Sequence, residues 1–223
     1  MIKKIALDIE TTGLNPLQGH KIVEIGCVEL ENNFPTGNYF QQYVNPNREM
    51  PEEAFSIHGL SNDFLSDKPI FSLVADKFLD FIKNSELVIH NAKFDVGFLN
   101  FELEFASRKN LSEFKVIDTL LLARKIFPGA ANNLDSLCRR YNIDITKRKK
   151  HGALLDAELL ADVFLEMNGG RQQDMELKIK KNLDNLKLES KEKVSFSEKI
   201  ITPDNIESQA HEQMLRQFKK SYW

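Results

Sequence analysis

The order of strand-like and helix-like patterns in the first 170 residues constrains the fold more than any other feature of the sequence. The runs IKKIALDIE and KIVEIGCVEL are separated by the turn-rich segment TTGLNPLQGH, and GNYFQQYV follows as a third strand. Consecutive strands joined by turns pair antiparallel, so these runs predict a three-strand meander. Beyond it helices alternate with short strands, which predicts an α/β fold with a mixed sheet flanked by helices.

The later helices and strands are placed from their periodicity. A helix is predicted after Pro69, where apolar side chains recur at helical spacing through Ile82. ELVIHN and VIDT are short apolar strands, and helices are predicted through FDVGFLNFELEFA, TLLLARKIF, LDSLCRRY and ALLDAELLADVFLEM. Asn133 is a candidate cap of the third of these helices, and Gly169 is predicted to end the fourth as a C-cap.

The composition changes at residues 168–170. Residues 1–170 contain 14 of the 16 Phe and all ten Gly, whereas residues 171–223 contain no Gly, one Pro and 20 charged side chains. The change predicts a folded domain over 1–170 followed by a C-terminal tail, of which residues 178–199 are a charged linker.

The charge balance excludes few functions. The net charge is −3, and residues 1–170 carry 19 Lys and Arg against 24 Asp and Glu. Two bound divalent cations would nearly cancel that deficit, so an acidic domain remains compatible with a phosphodiester substrate.

The sequence also predicts a compartment. Cys27 and Cys138 lie in apolar contexts and are predicted to be buried, reduced thiols. MIKKIALDIE lacks the apolar core of a signal peptide, and no run approaches the ~20 apolar residues that a membrane helix requires. We therefore expect a cytoplasmic protein that does not contact a membrane.

Three blocks contain the residues that are candidates for chemistry. In ALDIETTG, Asp8 and Glu10 are two apart on a strand, so both carboxylates point to one face while Leu7 and Ile9 point to the other. Such a pair suits metal ligands, and two surface acids on a solvated edge strand are an equal alternative. In HNAKFD, Asp95 follows a strand at the start of a helix, where it is either a site residue or a helix cap.

The third block, HGALLDA, contains His151 and Asp156. Five residues in one helix correspond to about 500°, so the two side chains share a face only if His151 lies on the preceding loop. The basic run 147–150 predicts that this loop is solvated. A loop histidine with an ordinary pKa of about 6.5 suits the removal of a proton from water, and a surface histidine beside a charged run is the alternative.

Taken together, the blocks resemble the DEDD superfamily of 3′→5′ exonucleases, in its histidine branch, and more specifically the family of proofreading epsilon subunits of bacterial DNA polymerase III. The resemblance runs through ALDIETTGLNP, IVEIGCVEL, AFSIHGLSNDFL, VIHNAKFDVGFLN, TLLLARKIFPG, NNLDSLCRRYNID and KRKKHGALLDAELLADVFLEMNGG. It implies a ribonuclease-H-like fold. A sibling branch has Tyr where this chain has His151, which assigns the branch.

The resemblance implies hydrolysis assisted by two divalent ions, Mg²⁺ or Mn²⁺. Asp8 would bridge both ions, Glu10 and Asp156 would hold the ion that activates water, and Asp95 would support the other ion. His151 would be the general base. The products would be a 5′-mononucleotide and a shortened strand.

The resemblance also implies residues that bind the 3′ end of DNA. Thr11 would contact the terminal 3′-hydroxyl group, while Ile57, His58 and Phe94 would pack on the terminal bases; an ordinary core position is an equal alternative for Phe94. Asp8, Glu10 and Asp156 are also expected to contact the substrate. Residues 147–150 either contact backbone phosphates or form a solvated charged loop, two equal alternatives.

The tail resembles the partner-binding segments of the same family. Gln172, Met175 and Leu177, within residues 171–177, match a motif that docks into the bacterial sliding clamp, although its last position is usually Phe. Residues 200–223 resemble the segment that binds the polymerase alpha subunit. A tail that binds nothing is the alternative.

The predicted function is therefore a proofreading 3′→5′ exonuclease of a replicative DNA polymerase. A related RNA exonuclease, either a tRNA-end trimmer or an oligoribonuclease, is an alternative that the tail disfavours. An inactive adaptor between clamp and polymerase is a second alternative, which the complete set of acidic residues and His151 disfavours.

Overall fold

The computed structural model describes residues 3–146, 148, 150–170 and 205–217. The chain divides into two units, one ending at Glu176 and one beginning at Leu177, and we describe each separately. The predicted clamp motif with Gln172, Met175 and Leu177, and the predicted linker 178–199, lie outside the described residues. Of the predicted polymerase-binding segment, residues 205–217 are described.

The first unit is built on a mixed five-stranded sheet. Its strands are β1 (Lys3–Thr11), β2 (Ile22–Glu31), β3 (Phe34–Tyr43), β4 (Ser85–Ile89) and β5 (Val116–Asp118), in the spatial order β3-β2-β1-β4-β5. β1, β2 and β3 pair antiparallel as a meander, and β4 and β5 extend the sheet in parallel with β1. The predicted mixed sheet, with a meander extended by parallel strands, is confirmed.

Seven helices accompany this sheet in the described part of the first unit: α1 (Glu52–His58), α2 (Asn62–Ser66), α3 (Phe71–Ile82), α4 (Ala92–Phe105), α5 (Thr119–Ile126), α6 (Leu134–Arg140) and α7 (Ala153–Met167). The predicted cap Asn133 accepts a hydrogen bond from the Ser136 N–H at 2.8 Å. The helix predicted to end at Gly169 ends at Met167, and Gly169 follows with a positive φ of 102°. The short helices α1 and α2 were not predicted.

The two faces of the sheet pack against different helices. Ile5, Leu7 and Ile9 of β1 join a buried cluster with α3 and α4, in which Phe78 and Phe98 are fully buried. On the other face, Ala6 of β1, Val28 of β2 and Val88 of β4 pack on Ala157, Leu160 and Phe164 of α7. A third buried cluster joins α7 to α5 and α6 through Leu137, Cys138 and Val163. The sheet therefore lies between two layers of helices.

Two further predictions concern burial and membranes. Cys27 and Cys138 are both buried and unpaired with another cysteine, as predicted. In the described residues, no helix has the length and apolar character needed to span a membrane. In the second unit, helix α8 spans Asn205–Gln217 and exposes His211, Glu212 and half of Met214.

Candidate active site

The acidic pair of β1 lies on the face of the sheet that α7 covers. Leu7 and Ile9 point into the core of the opposite face, so Asp8 and Glu10 point towards α7, as the period of two predicts. Glu10 is 8% exposed, and the pairing register of β1 and β2 shifts just after it. Both carboxylates line a cleft of about 410 Å³.

His151 and Asp156 reach the same cleft from two different elements. Helix α7 begins at Ala153, so His151 lies in the preceding loop and Asp156 in the first turn of the helix. One ligand atom each from Glu10, His151 and Asp156 lie within 4.8 Å of one another. The prediction that His151 and Asp156 converge only with the histidine on a loop agrees with this geometry.

A close contact between the sheet and the start of α7 brings these groups together. Gly26 of β2, which pairs with Asp8, faces the backbone of Ala153 without an intervening side chain. Next to it, buried Glu24 accepts a hydrogen bond from the Ala153 N–H at 3.1 Å through Oε2, and from Gln41 at 2.8 Å through Oε1. Gly152, the N-cap residue, has no side chain to cap the helix, so Glu24 of β2 satisfies this end of α7 instead.

Asp95 is placed by the end of the parallel strands. It lies in the first turn of α4, directly after β4, and is 3% exposed. The start of α4 is fixed from β5, because Asp118 accepts hydrogen bonds from the Ala92 N–H at 3.1 Å and from the Leu120 N–H at 2.9 Å. Asp95 is therefore buried and does not line the cleft, whereas Asp8, Glu10 and Asp156 do.

Burial and mutual repulsion raise the pKa of three carboxyl groups. Burial is the main cause of the raised pKa of Asp8, and the charges of Asp95, Asp156 and Glu10 raise it further. Burial also raises the pKa of Glu10 to about 8, with the Asp156 charge adding to the effect. The pKa of Asp95 is raised by burial, although backbone N–H groups of Asp95 and Ile9 oppose the rise. The cleft therefore concentrates negative charge that needs cations to remain ionised.

Asp156 differs because it has positively charged partners. Burial raises its pKa, but the contacts with His151 and Arg148 outweigh burial and hold it below its usual range. His151 Nδ1 lies 3.2 Å from Asp156 Oδ2, and this contact with Asp156 raises the pKa of the ring. Arg148 donates to Asp156 through both Nε and Nη2.

The basic run before His151 was predicted to be solvated, and for Arg148 that prediction is wrong. Its side chain is 8% exposed, because it turns into the cleft and pairs with Asp156 and Asp135. Lys150, two residues later, lies with its ammonium group 4.9 Å from the centre of the Phe55 ring.

Comparison with known proteins places this site in a family. The model of the exonuclease family RNase_T matches residues 5–164. The DNA polymerase III subunit epsilon of Rickettsia felis is 46% identical over 226 residues, covering 99% of this chain and 98% of the relative. The chain belongs to the exonuclease family and, within it, to the DNA polymerase III epsilon subunits. Its predicted function, a proofreading 3′→5′ exonuclease, is confirmed by this membership.

Other proteins agree with this membership. The epsilon subunit of Escherichia coli K12 is 52% identical over 176 residues, covering 76% of this chain and 72% of the relative. Exonuclease X, solved in complex with 5′ overhanging duplex DNA, superposes with a TM-score of 0.57 at 25% identity and covers 75% of this chain and 90% of its own. Dependence on divalent metal ions follows from the exonuclease family.

The three residues predicted to pack on the terminal bases differ in how exposed their side chains are. Ile57 is 50% exposed at the end of α1, whereas His58 is 6% exposed and its Nδ1 accepts a hydrogen bond from the Leu60 N–H at 3.0 Å. Phe94 is half-buried and packs on Phe98, with the ring centres 5.0 Å apart. Of these three side chains, Ile57 is the most exposed.

Thr11 and the loop of His151 are both tied to their surroundings. Thr11 ends β1, and its hydroxyl group donates to the Gly13 carbonyl at 2.7 Å. The His151 N–H donates to the Ile57 carbonyl at 3.2 Å, which joins the loop to the last turn of α1. The predicted base of the exonuclease is thus linked to a predicted substrate-binding residue.

Sequence analysis did not identify three residues that the structure places at or beside the cleft: Glu24, Asp135 and Arg148. Glu24 carried a signal, since it is the one charged residue within the run IVEIGCV. Asp135 follows a predicted helix start and reads as an ordinary first-turn acid. Arg148 lies among lysines, and nothing in the local sequence separates it from them.

Proposed function

We propose that this chain removes nucleotides from the 3′ end of DNA with two divalent cations, Mg²⁺ or Mn²⁺, held by Asp8, Glu10 and Asp156. The observation that carries this proposal is the convergence of Glu10, His151 and Asp156 within 4.8 Å, beside Asp8 in the same cleft. Asp8 would hold the cations together with these residues, and buried Asp95 would support one of them.

The side chains fit such cations by their chemistry. Carboxylate oxygens are the ligands that hard divalent ions prefer, and the cleft has four carboxyl groups. Burial, and then the neighbouring negative charges, raise the pKa values of Asp8 and Glu10, and bound cations would oppose both effects. When bound, the cations would bind the scissile phosphate and lower the pKa of a water molecule.

His151 is proposed as the general base. Its loop position leaves the ring 47% exposed, so water can reach it, and its Nδ1 lies 3.2 Å from Asp156. A ring that donates its Nδ1 proton to Asp156 keeps Nε2 free to accept a proton from the attacking water. Asp156 would thus orient the base as well as bind a cation.

Ile57, and with it Phe94, is proposed to pack on the bases at the 3′ end, because base stacking on apolar side chains tolerates any sequence. Thr11 would contact the terminal 3′-hydroxyl group. His58 is proposed to support this surface from below, since its burial leaves no face of the ring free for a base.

Association with a replicative polymerase is supported by the relative from Rickettsia felis, a DNA polymerase III subunit that matches 99% of the chain. We propose that residues 200–223, which include helix α8, bind the polymerase alpha subunit, and that Gln172, Met175 and Leu177 bind the sliding clamp. The folded domain over 1–170 and a cytoplasmic location stay predictions.

A single assay tests the central proposal. The full chain is incubated with Mg²⁺ and a DNA primer carrying a 3′ mismatch, beside Asp8→Ala and beside RNA of matched sequence. We expect 5′-mononucleotides from the DNA with the wild-type chain and none with Asp8→Ala. Faster degradation of the RNA would favour a tRNA-end trimmer or oligoribonuclease. Full activity of Asp8→Ala would refute the metal assignment.

A further inference from the structure

The guanidinium group of Arg148 lies inside the cleft, against a carboxylate that we assign to the cations. Its Nε donates to Oδ1 of Asp156 at 2.5 Å, and its Nη2 donates to Oδ2 at 2.6 Å. Two parallel bonds of this kind engage both oxygens of the carboxylate at once. The side chains of Arg148 and Asp156 are 8% and 4% exposed, so water does little to weaken the pair.

Further contacts fix the guanidinium group. Its Nη1 donates to Asp135 of α6, and its Nη2 donates to His151 Nδ1 at 2.8 Å. The backbone N–H of Arg148 donates to the Ile145 carbonyl at 2.9 Å. A side chain held by two carboxylates and a ring is a built part of the site, unlike the exposed side chain of Lys150.

A divalent cation and this guanidinium group need the same oxygens of Asp156. Cations bind carboxylates through those lone pairs, and a second full positive charge in the same buried space is repelled. We propose that Arg148 competes with the divalent cation for Asp156, holding the carboxylate while no cation is bound and releasing it when one binds. The released guanidinium group would remain bound to Asp135 through Nη1. The inference rests on the proposed metal role of Asp156.

The exchange also sets the state of His151. Its Nδ1 lies 2.8 Å from Arg148 Nη2 and 3.2 Å from Asp156 Oδ2. While Arg148 donates to Nδ1, that nitrogen is an acceptor and the neutral ring carries its proton on Nε2. Once Arg148 withdraws, Nδ1 can carry the proton and donate to Asp156, which frees Nε2 to act as a base. Arg148 is thus a positioning residue that couples cation binding to the active form of His151.

The test measures Mn²⁺ binding to the full chain without DNA, by calorimetric titration after chelation. Arg148→Met should bind Mn²⁺ at least about tenfold more tightly than the wild-type chain, equivalent to ~1.4 kcal/mol. The same variant should melt at a lower temperature in chelator, because Asp156 is left buried and unpaired. Its melting temperature should rise more on addition of Mn²⁺ than that of the wild-type chain. Loss of a merely structural contact would instead weaken the binding of Mn²⁺.

Lys150→Met is the matched control, because it removes one positive charge from the same loop without touching a carboxylate. It should leave the Mn²⁺ affinity near that of the wild-type chain. Equal tightening in both variants would show a general charge effect and overturn the inference. Arg148→Lys keeps the charge and loses the planar fork, so its affinity for Mn²⁺ should lie between those of the wild-type chain and Arg148→Met. Unchanged or weaker binding by both Arg148 variants would also overturn it.

Asp156→Asn separates this inference from the proposed function. In the same titration it should lose binding of at least one Mn²⁺. If Asp156→Asn binds Mn²⁺ like the wild-type chain, the proposed metal role of Asp156 is wrong. If Asp156→Asn loses the ion and Arg148→Met gains no affinity, the metal role stands and only the competition by Arg148 is wrong.

Discussion

The backbone of Ala153 approaches Gly26 so closely that a β-carbon added to Gly26 would lie 2.2 Å from the Ala153 carbonyl carbon. The nearby atoms are backbone, so no side chain can rotate away. We expect Gly26→Ala to push the start of α7 off the sheet, separating Asp156 from Asp8. Overpacking of this kind costs about 1–3 kcal/mol. Denaturant unfolding should show the loss of stability, and nuclease assays a loss of rate.

Gly97→Ala is the matched control for this substitution. Gly97 lies within α4, and a β-carbon there meets no atom within 4 Å. Alanine should stabilise that helix by about 0.5–1 kcal/mol and leave the nuclease rate unchanged. Equal behaviour of the two variants would contradict the role given to the contact between Gly26 and α7.

The raised pKa of Glu10 predicts that stability falls as pH rises. A folded-state pKa of about 8, against an ordinary 4.5, gives a stabilising contribution that is complete below pH ~4.5 and lost as pH rises through 8. In chelator, Glu10→Gln should therefore match the wild-type chain near pH 5 and exceed its melting temperature at pH 8. Each pKa unit corresponds to about 1.4 kcal/mol. Melting curves across this range measure the difference.

The exposed residue Glu104 on α4 provides the control. Glu104→Gln makes the same chemical change at an exposed position outside the cleft, so it should alter the pH profile less than Glu10→Gln does. With saturating Mg²⁺ the wild-type chain should instead melt at a higher temperature than Glu10→Gln at pH 8, since the cations stabilise ionised Glu10 and not glutamine. A Glu10→Gln variant with an unchanged pH profile in chelator would count against the electrostatic account of the cleft.

Removal of the proposed base should slow hydrolysis without loss of the cations. His151→Gln is expected to reduce the rate by about 10²- to 10⁴-fold, the usual contribution of a general base. It should also remove the fall in rate at acidic pH, because the wild-type rate requires a neutral ring. Mn²⁺ titration of the same variant is the second measurement. A large loss of Mn²⁺ affinity would make His151 a metal ligand instead of the base.

The tail should be separable from catalysis. Deletion of residues 200–223 is expected to release the chain from the polymerase alpha subunit while nuclease activity on single-stranded DNA persists, and co-elution on a sizing column checks this. The double substitution Gln172→Ala and Leu177→Ala should weaken clamp binding and retain the polymerase. Retained polymerase binding after the deletion would place that interface elsewhere in the chain.

The sheet and most helices could be predicted because their signals are local. The period of two placed Asp8 and Glu10 on one face, and the five-residue offset placed His151 on a loop before α7. Arg148 could not be predicted, because its environment depends on which partners the folded loop meets. Glu24 could be noticed as a charged residue between apolar residues of β2. Its hydrogen-bond partner Ala153 could not be predicted, because it is 129 residues away in the sequence.

The hydrogen bond from His151 to the Ile57 carbonyl has a mechanical consequence. Helix α1 is a short helix that exposes Ile57, the residue proposed to contact a terminal base, and the His151 N–H is hydrogen-bonded to its last turn. A ligand that tilts α1 therefore also moves the imidazole relative to the carboxylates on β1 and α7. With the proposed roles of Ile57 and His151, binding of a terminal nucleotide would therefore be coupled to the position of the base.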